Sequence, residues 1–193
     1  KGTFLFNFFI LICFLITSYE WHKMSRKEYY LYGLFFLVLS FYFTYKLRTN
    51  IDGGYEYFVI ILLICICTDV GGYFFGKIFK GPKLTKISPK KTYSGVIGGY
   101  LLSIFFLNFV LISKYFLIKP KEMTVEIFIF ILLISTVSQL GDIIISYFKR
   151  LSNIKDTGKI IPGHGGLLDR IDGMIFAFPF AYLILKINLF KYF

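Results

Sequence analysis

The sequence predicts an all-α fold, a polytopic bundle of about six transmembrane helices. The first observation is composition, because 56% of the 193 residues are hydrophobic and the mean hydropathy is +0.68, whereas soluble domains are about 45–50% apolar. The second is that apolar runs of about 18 residues, long enough to cross a bilayer, recur along the chain. The third is that lysine and arginine are concentrated in alternate connections between these runs.

Six apolar segments account for most of the chain. We expect residues 1–193 to form a single integral-membrane domain, with N-terminal spans in 1–54 and a functional core in 55–193. Polar connections with glycine, proline or clustered charge separate the segments. The predicted spans are residues 4–19, 29–45, 55–76, 95–113, 124–148 and 171–187.

The charged connections predict the orientation of the bundle. Fourteen of the 22 lysines and arginines lie in residues 20–28, 77–94 and 149–170, which six spans would place on one side. Short loops rich in these residues stay in the cytoplasm, so this side is expected to be cytoplasmic. The net charge of +11 then reflects orientation and anionic lipid headgroups, and no nucleic-acid partner is expected.

Two aspartates, Asp69 and Asp142, lie inside predicted spans. A charged residue there is costly and usually faces the bundle interior or a wet cavity. Ser135, Ser138, Asp142 and Ser146 share one face of the fifth helix, because they follow i, i+3, i+7 and i+11. This stripe favours a cavity lining. Hydrogen bonding between helices is the alternative; it explains the serines but not Asp142.

The third span and the basic connection after it leave alternatives open. Asp69, Gly72 and Gly76 share a helix face, which suits either a ligand or close packing of a neighbouring helix. The connection at 77–94 contains six lysines. They can contact anionic lipid and fix the topology, or they can bind the phosphates of a nucleotide.

The most polar stretch runs from Ser146 to Asp172. It combines three aspartates, five cations and a Pro-Gly-His-Gly-Gly turn at 162–166, whose glycines permit close backbone approach to a ligand. Carboxylates beside cations suit a metal–phosphate ligand, and Mg²⁺ on Asp142, Asp169 and Asp172 is the natural candidate. A solvated loop, in which Asp169 caps the next helix, is the alternative. His164 can contact phosphate or relay a proton, or can be purely structural.

Three motifs carry a resemblance to a known family. The longest has Ser146, Lys149, Arg150, Lys155, Asp156, Gly158, Ile161 to Leu167, Asp169, Arg170 and Asp172 at its fixed positions. The others are Asp69-x-Gly71-Gly72-Tyr73-x2-Gly76-Lys77 and Ile87-Ser88-Pro89-Lys90-Lys91-Thr92, continuing to Gly95. All three resemble the phosphatidate cytidylyltransferase (CDP-diacylglycerol synthase) family, over most of the C-terminal two-thirds of the chain.

The resemblance implies that CTP and phosphatidic acid are converted to CDP-diacylglycerol and pyrophosphate. It also implies Mg²⁺ on Asp142 and Asp169, with a monovalent cation such as K⁺ alongside, in a bacterial inner membrane with the site facing the cytoplasm. Family members can form homodimers. The further catalytic candidates are Lys149, Arg150, His164 and Arg170, and the candidates for contact with CTP or its phosphates are Asp69, Lys77, Ser88, Lys90, Lys91, Ser146, Lys155, Asp156, Gly165 and Gly166.

The chain departs from the family pattern in two respects. Many bacterial members have an acidic residue at the position of Ile145; if that acid helps to hold the second cation in them, this chain must do without it or use Asp172. Bacterial members also have more N-terminal helices, and the chain begins with Lys1, so further N-terminal spans are expected.

Other functions fit parts of the pattern. A CTP-dependent polyprenol or lipid kinase, or a cytidylyltransferase for another lipid phosphate, would use similar groups but make a different product. An ion-coupled transporter would use Asp69 and Asp142 as an ion path. A transporter does not account for the long Gly-His-Gly-Gly loop on one side of the membrane.

Overall fold

The computed structural model describes residues 3–85, 87–88, 90–112, 123–160 and 165–187, and they are predominantly helical. In this part of the chain there is no strand, and Lys83 and Thr92 form an isolated bridge. The predicted all-α class is therefore confirmed. The helices are α1 Thr3–Met24, α2 Lys27–Asn50, α3 Gly54–Phe79, α4 Tyr93–Ile112, α5 Val125–Leu151, α6 Leu168–Ile171 and α7 Met174–Lys186.

The helix lengths agree with a polytopic membrane protein. Five of the described helices, α1 to α5, are long and apolar enough to cross a bilayer. The sixth predicted span corresponds to α6 and α7, of which α7 has 13 residues. At about 1.5 Å per residue such a helix is shorter than the roughly 30 Å hydrocarbon layer.

Several helices extend beyond the predicted spans. The connection predicted at 20–28 is reduced to Ser25 and Arg26, because α1 continues to Met24 and α2 begins at Lys27. The apolar run marks only the part of a helix that suits the bilayer, whereas the helix itself continues where its next residues still pack. Trp21 and Met24 are both buried in the last turns of α1.

The bundle is organised around α3, which packs against α2, α4, α5 and α7. Its central apolar residues, including Ile61 and Ile64, are fully buried against Phe130 and Ile134 of α5 and Ala181 of α7. Outward residues such as Phe105 and Phe109 of α4 are exposed, as expected for side chains that face lipid. The core therefore fixes how α3 and α5 stand relative to each other.

Glycines bring α3 and α4 into backbone contact. A Cβ atom added at Gly71 would lie 2.6 Å from the carbonyl oxygen of Gly98, and one at Gly99 would lie 2.9 Å from that of Thr68. A Cβ at Gly95 would lie 2.7 Å from the carbonyl oxygen of Gly72. The small-residue spacing at Gly95 and Gly99 thus marks a close helix interface, as is common in membranes.

We expect Gly71→Ala to lower the thermal unfolding temperature in detergent, because its methyl group would push α3 away from α4. The cost of such overpacking is about 1–3 kcal/mol. Gly72→Ala is the matched control, since its Cβ would meet nothing nearer than 3.7 Å and alanine favours helix by about 1 kcal/mol. Equal unfolding temperatures for the two variants would contradict the close interface.

Candidate active site

A cavity of about 380 Å³ opens at one end of the bundle. Its walls are the C-terminal part of α3, the start of α4, the second half of α5, the short helix α6, and the connections that follow α3 and α5. A volume of this order is typical of small-molecule sites, which span about 300–1,000 Å³. The predicted site residues that line it are Asp69, Ser88, Lys90, Lys91, Asp142, Lys149, Asp156, Asp169, Arg170 and Asp172.

Asp142 is paired with a cation from the basic connection. Its Oδ2 atom lies 2.5 Å from the Nζ of Lys91, and its Oδ1 accepts a hydrogen bond of 3.2 Å from the hydroxyl of Ser146. The same ammonium donates to the carbonyl oxygen of Gln139 at 3.3 Å. Of the six lysines in this connection, Lys91 therefore lines the cavity and pairs with Asp142, in addition to any role in fixing the topology.

The polar stripe of α5 has two different uses. Toward the cavity, Asp142 lines the wall and Ser146 supports it. Deeper in the bundle, the hydroxyl of Thr68 donates to Ser135 at 2.8 Å and is hydrogen-bonded to Ser103 at 2.9 Å, which links α3, α4 and α5. Cavity lining and interhelical hydrogen bonding, the two alternatives left open by the sequence, thus hold for different residues.

Asp169 is enclosed by donors. Its Oδ1 accepts from the Nζ of Lys149 at 2.9 Å, and its Oδ2 accepts from the backbone N–H groups of Thr157 at 2.8 Å and Gly166 at 2.9 Å. Burial raises the pKa of Asp169, but Lys149 and these amides outweigh it and hold the pKa below its usual range. Lys149 is itself buried, so this is an ion pair largely shielded from solvent.

Three carboxyl groups converge on the floor of the cavity. Asp172 is buried and lies within hydrogen-bonding reach of Asp142, and the charge of Asp69 interacts with both. Like charges this close require a cation or a proton. Within the described residues, no three His, Cys, Asp or Glu side chains are arranged to hold a metal ion by themselves.

Comparison with known proteins identifies the family. A sequence model that represents the cytidylyltransferase family matches residues 2–188, which is nearly the whole chain. The chain belongs to the cytidylyltransferase family. The resemblance found in the sequence motifs is thereby confirmed.

The chain is similar to proteins named phosphatidate cytidylyltransferase. It is 37% identical over 172 residues to the one from Rickettsia bellii (strain RML369-C), covering 86% of this chain and 73% of the relative. It is 35% identical over 179 residues to the one from Staphylococcus aureus (strain COL), covering 92% of this chain and 66% of the relative. The chain therefore matches about two thirds to three quarters of the length of these relatives.

Some predicted site residues of this cytidylyltransferase lie away from the cavity. Among the residues that the structure describes, Lys77, Arg150 and Lys155 are exposed and do not line it. Lys77 lies over the ring of Tyr73 at 5.7 Å, and Arg150 donates to the carbonyl oxygen of Ile154 at 3.2 Å. Their assignments stay predictions.

The glycines of the Gly-His-Gly-Gly turn have local partners. Gly165 has a φ of +86°, and a Cβ there would lie 2.7 Å from Oδ2 of Asp169. The N–H of Gly166 is already occupied by that oxygen. His164 lies outside the described residues, so its role as a phosphate or proton-relay residue stays a prediction.

Sequence reasoning missed Glu20. It was expected in a polar connection, but it lies in α1 with 1% of its surface exposed and contacts the loop that leads into α6, the helix of Asp169. A signal was available, because Cys13, Thr17, Glu20 and Met24 continue one helical face past the end of the apolar run. All four are buried.

We expect Lys149→Met to reduce cytidylyl transfer about a hundredfold, since losing a charged group that faces a transition state costs about 10²–10³ in rate. Arg150→Met, the neighbouring control, should reduce it less than about tenfold, because Arg150 points away from the cavity. Initial rates with labelled CTP measure both. A larger loss at Arg150 would show that its side chain turns into the cavity during turnover.

Proposed function

We propose that this cytidylyltransferase transfers the cytidylyl group of CTP to phosphatidic acid, forming CDP-diacylglycerol and releasing pyrophosphate. The observation that carries the proposal is the cavity at the end of the membrane helices, whose described lining includes five carboxylates and four cations. Such a lining suits a polyphosphate accompanied by its own cation. The names of the relatives from Rickettsia and Staphylococcus support the same substrates.

The cations of the cavity suit this chemistry. The attacking group is a phosphate monoester, which is already anionic near neutral pH and needs no strong base. An oxygen of phosphatidic acid attacks the α-phosphorus of CTP, and the bond to the pyrophosphate oxygen breaks. The protein must align the groups and neutralise their charge. Lys90, Lys91, Lys149 and Arg170 line the space where the phosphates would lie.

The edge of the cavity suits a lipid substrate. Tyr73 and Val96 line the cavity, while the next residues, Phe74 of α3 and Ile97 of α4, are exposed on the outer surface of the bundle. The polar site and the lipid-facing surface are therefore adjacent. A phosphate headgroup can enter the cavity from this edge while its acyl chains stay in the bilayer.

The carboxylates fit Mg²⁺ bound together with substrate. Asp142 and Asp172 offer oxygens close to each other on the cavity floor, and Mg²⁺ is usually held by one or two carboxylates plus phosphate oxygens. Asp142 and Asp169, the two ligands implied by the family, each have donors on both oxygens, so binding of the ion would require Lys91 to release Oδ2 of Asp142 and Lys149 to release Oδ1 of Asp169. When bound, the ion would neutralise charge on the phosphates. A monovalent cation beside it stays a prediction.

We expect the purified protein in mixed micelles to move label from the α-phosphate of CTP into lipid when phosphatidic acid is present. Asp142→Ala should abolish the transfer, because it removes a proposed Mg²⁺ ligand that lies in the cavity beside Lys91. EDTA should abolish it as well, because it removes the ion itself. Asp52→Ala is the control, since Asp52 is exposed in the turn between α2 and α3.

Three results would contradict the proposal. Full activity of Asp142→Ala would remove the metal assignment. Release of CDP with phosphorylation of added polyprenol would identify a lipid kinase. Label in lipid only with another lipid phosphate would identify a cytidylyltransferase of different acceptor specificity.

The site is expected to face the cytoplasm of a bacterial inner membrane, where CTP is available. We expect a membrane-impermeant maleimide on intact spheroplasts to label Asp52→Cys but not Lys80→Cys, because these exposed residues lie in connections at opposite ends of α3. Lys80→Cys should react only after permeabilisation. The native cysteines are buried and serve as the background. The reverse labelling pattern would place the cavity outside.

A further inference from the structure

Glu20 of α1 is a buried carboxylate that holds the active-site loop. Its Oε1 accepts a hydrogen bond of 2.9 Å from the N–H of Leu167. Its Oε2 accepts one of 2.7 Å from the N–H of Leu168 and one of 3.2 Å from the hydroxyl of Thr157. Both ends of the segment between Thr157 and Leu168 are therefore attached to one side chain of the first helix.

These contacts account for a charge that would otherwise be unfavourable at this place. Burying a carboxylate is costly unless hydrogen bonds or a counter-charge compensate it. The compensation seen for Glu20 comes from donors of the loop, namely Thr157, Leu167 and Leu168. The loop also leaves space for it, because a Cβ at Gly166 would lie 2.6 Å from either carboxylate oxygen.

The same loop residues hold Asp169. Thr157 donates its hydroxyl to Glu20 and its N–H to Oδ2 of Asp169. Gly166 donates to that same Oδ2, and the next two residues donate to Glu20. The chain at Thr157 and at Gly166 to Leu168 is thus held between two carboxylates, one from α1 and one from α6. This arrangement keeps Oδ2 of Asp169 hydrogen-bonded to the backbone, so that its Oδ1 faces the Nζ of Lys149.

We propose that Glu20 is a positioning residue of the active site, which acts through Thr157 and Gly166 to set the orientation of the Asp169 carboxylate. The proposal rests on the proposed function, since Asp169 matters there as the partner of Lys149 and as a ligand implied for Mg²⁺. It makes α1 part of the catalytic unit, although α1 lies in the N-terminal region that the sequence separates from the core.

The first test is Glu20→Gln, which keeps the size of the side chain but turns an NH₂ group toward one of the loop donors. The kcat should fall about ten- to a hundredfold, as small misplacements of catalytic groups do, while KM for CTP changes less than about threefold. Glu28→Gln is the matched control on the exposed start of α2 and should behave as wild type. Unchanged kcat in Glu20→Gln would overturn the proposal.

A second pair of variants separates positioning from packing and applies even if Glu20→Gln does not fold. Thr157→Val keeps the volume but removes the hydroxyl that donates to Glu20, so its kcat should fall at least fivefold. Thr157→Ser restores the hydroxyl and should recover most of that loss. If the buried Thr157 acted only by packing, valine would be tolerated and serine would be the weaker variant, which would overturn the proposal.

A readout without substrate keeps failure of the inference distinct from failure of the proposed function. Trypsin can cut after Lys159, an exposed residue of the loop, and mass spectrometry can identify that fragment. We expect the cut to be several-fold faster in Glu20→Gln than in wild type or Glu28→Gln. If wild type makes no lipid product, the proposed function fails while this comparison still tests the anchor; equal cleavage rates would show that Glu20 does not hold the loop.

Discussion

Compensation of buried carboxylates is the constraint on which this structure depends. The bundle is largely apolar, and carboxylates that it buries wholly or in part need donors, most of which come from other parts of the chain. Asp142 receives Lys91 from the connection after α3, and Asp169 receives Lys149 from α5. Glu20 receives donors of the loop between α5 and α6. Because these partners are distant in sequence, satisfying them brings the connections to one end of the bundle.

The helix packing makes these pairings possible. Lys91 can reach Asp142 only if the end of the basic connection lies close to α5, and α4 begins immediately after that connection. The glycine contact between α3 and α4 holds the start of α4 against α3, with the backbones touching at Gly71 and Gly98. The core residues of α3 in turn pack against α5. The geometry of the polar site is therefore set by apolar and small-residue packing below it.

The sequence predicted what is local and missed what depends on contacts between distant segments. Asp69 and Asp142 could be identified because a charged residue inside a membrane span is costly and is usually functional. Asp169 could be identified because it belongs to a long motif. Glu20 did not, since the apolar run ends before it while the helix continues. Lys149 and Arg150 were equivalent in the sequence, but neighbours on a helix point about 100° apart, and only the former faces the cavity. The pairing of Lys149 with Asp169 depends on how the loop folds back, which periodicity cannot show.

The charges of the cavity also favour one kind of ligand. Its described lining combines Asp69, Asp142, Asp156, Asp169 and Asp172 with Lys90, Lys91, Lys149 and Arg170. A simple anion would be attracted by the cations but repelled by the carboxylates. A simple cation would be attracted by the carboxylates but repelled by the lysines and the arginine. A polyphosphate that enters with a divalent cation satisfies both sets, because its oxygens can accept from the ammonium groups while its cation faces the carboxylates. CTP with Mg²⁺ has this composition, whereas an ion that crosses the membrane alone does not.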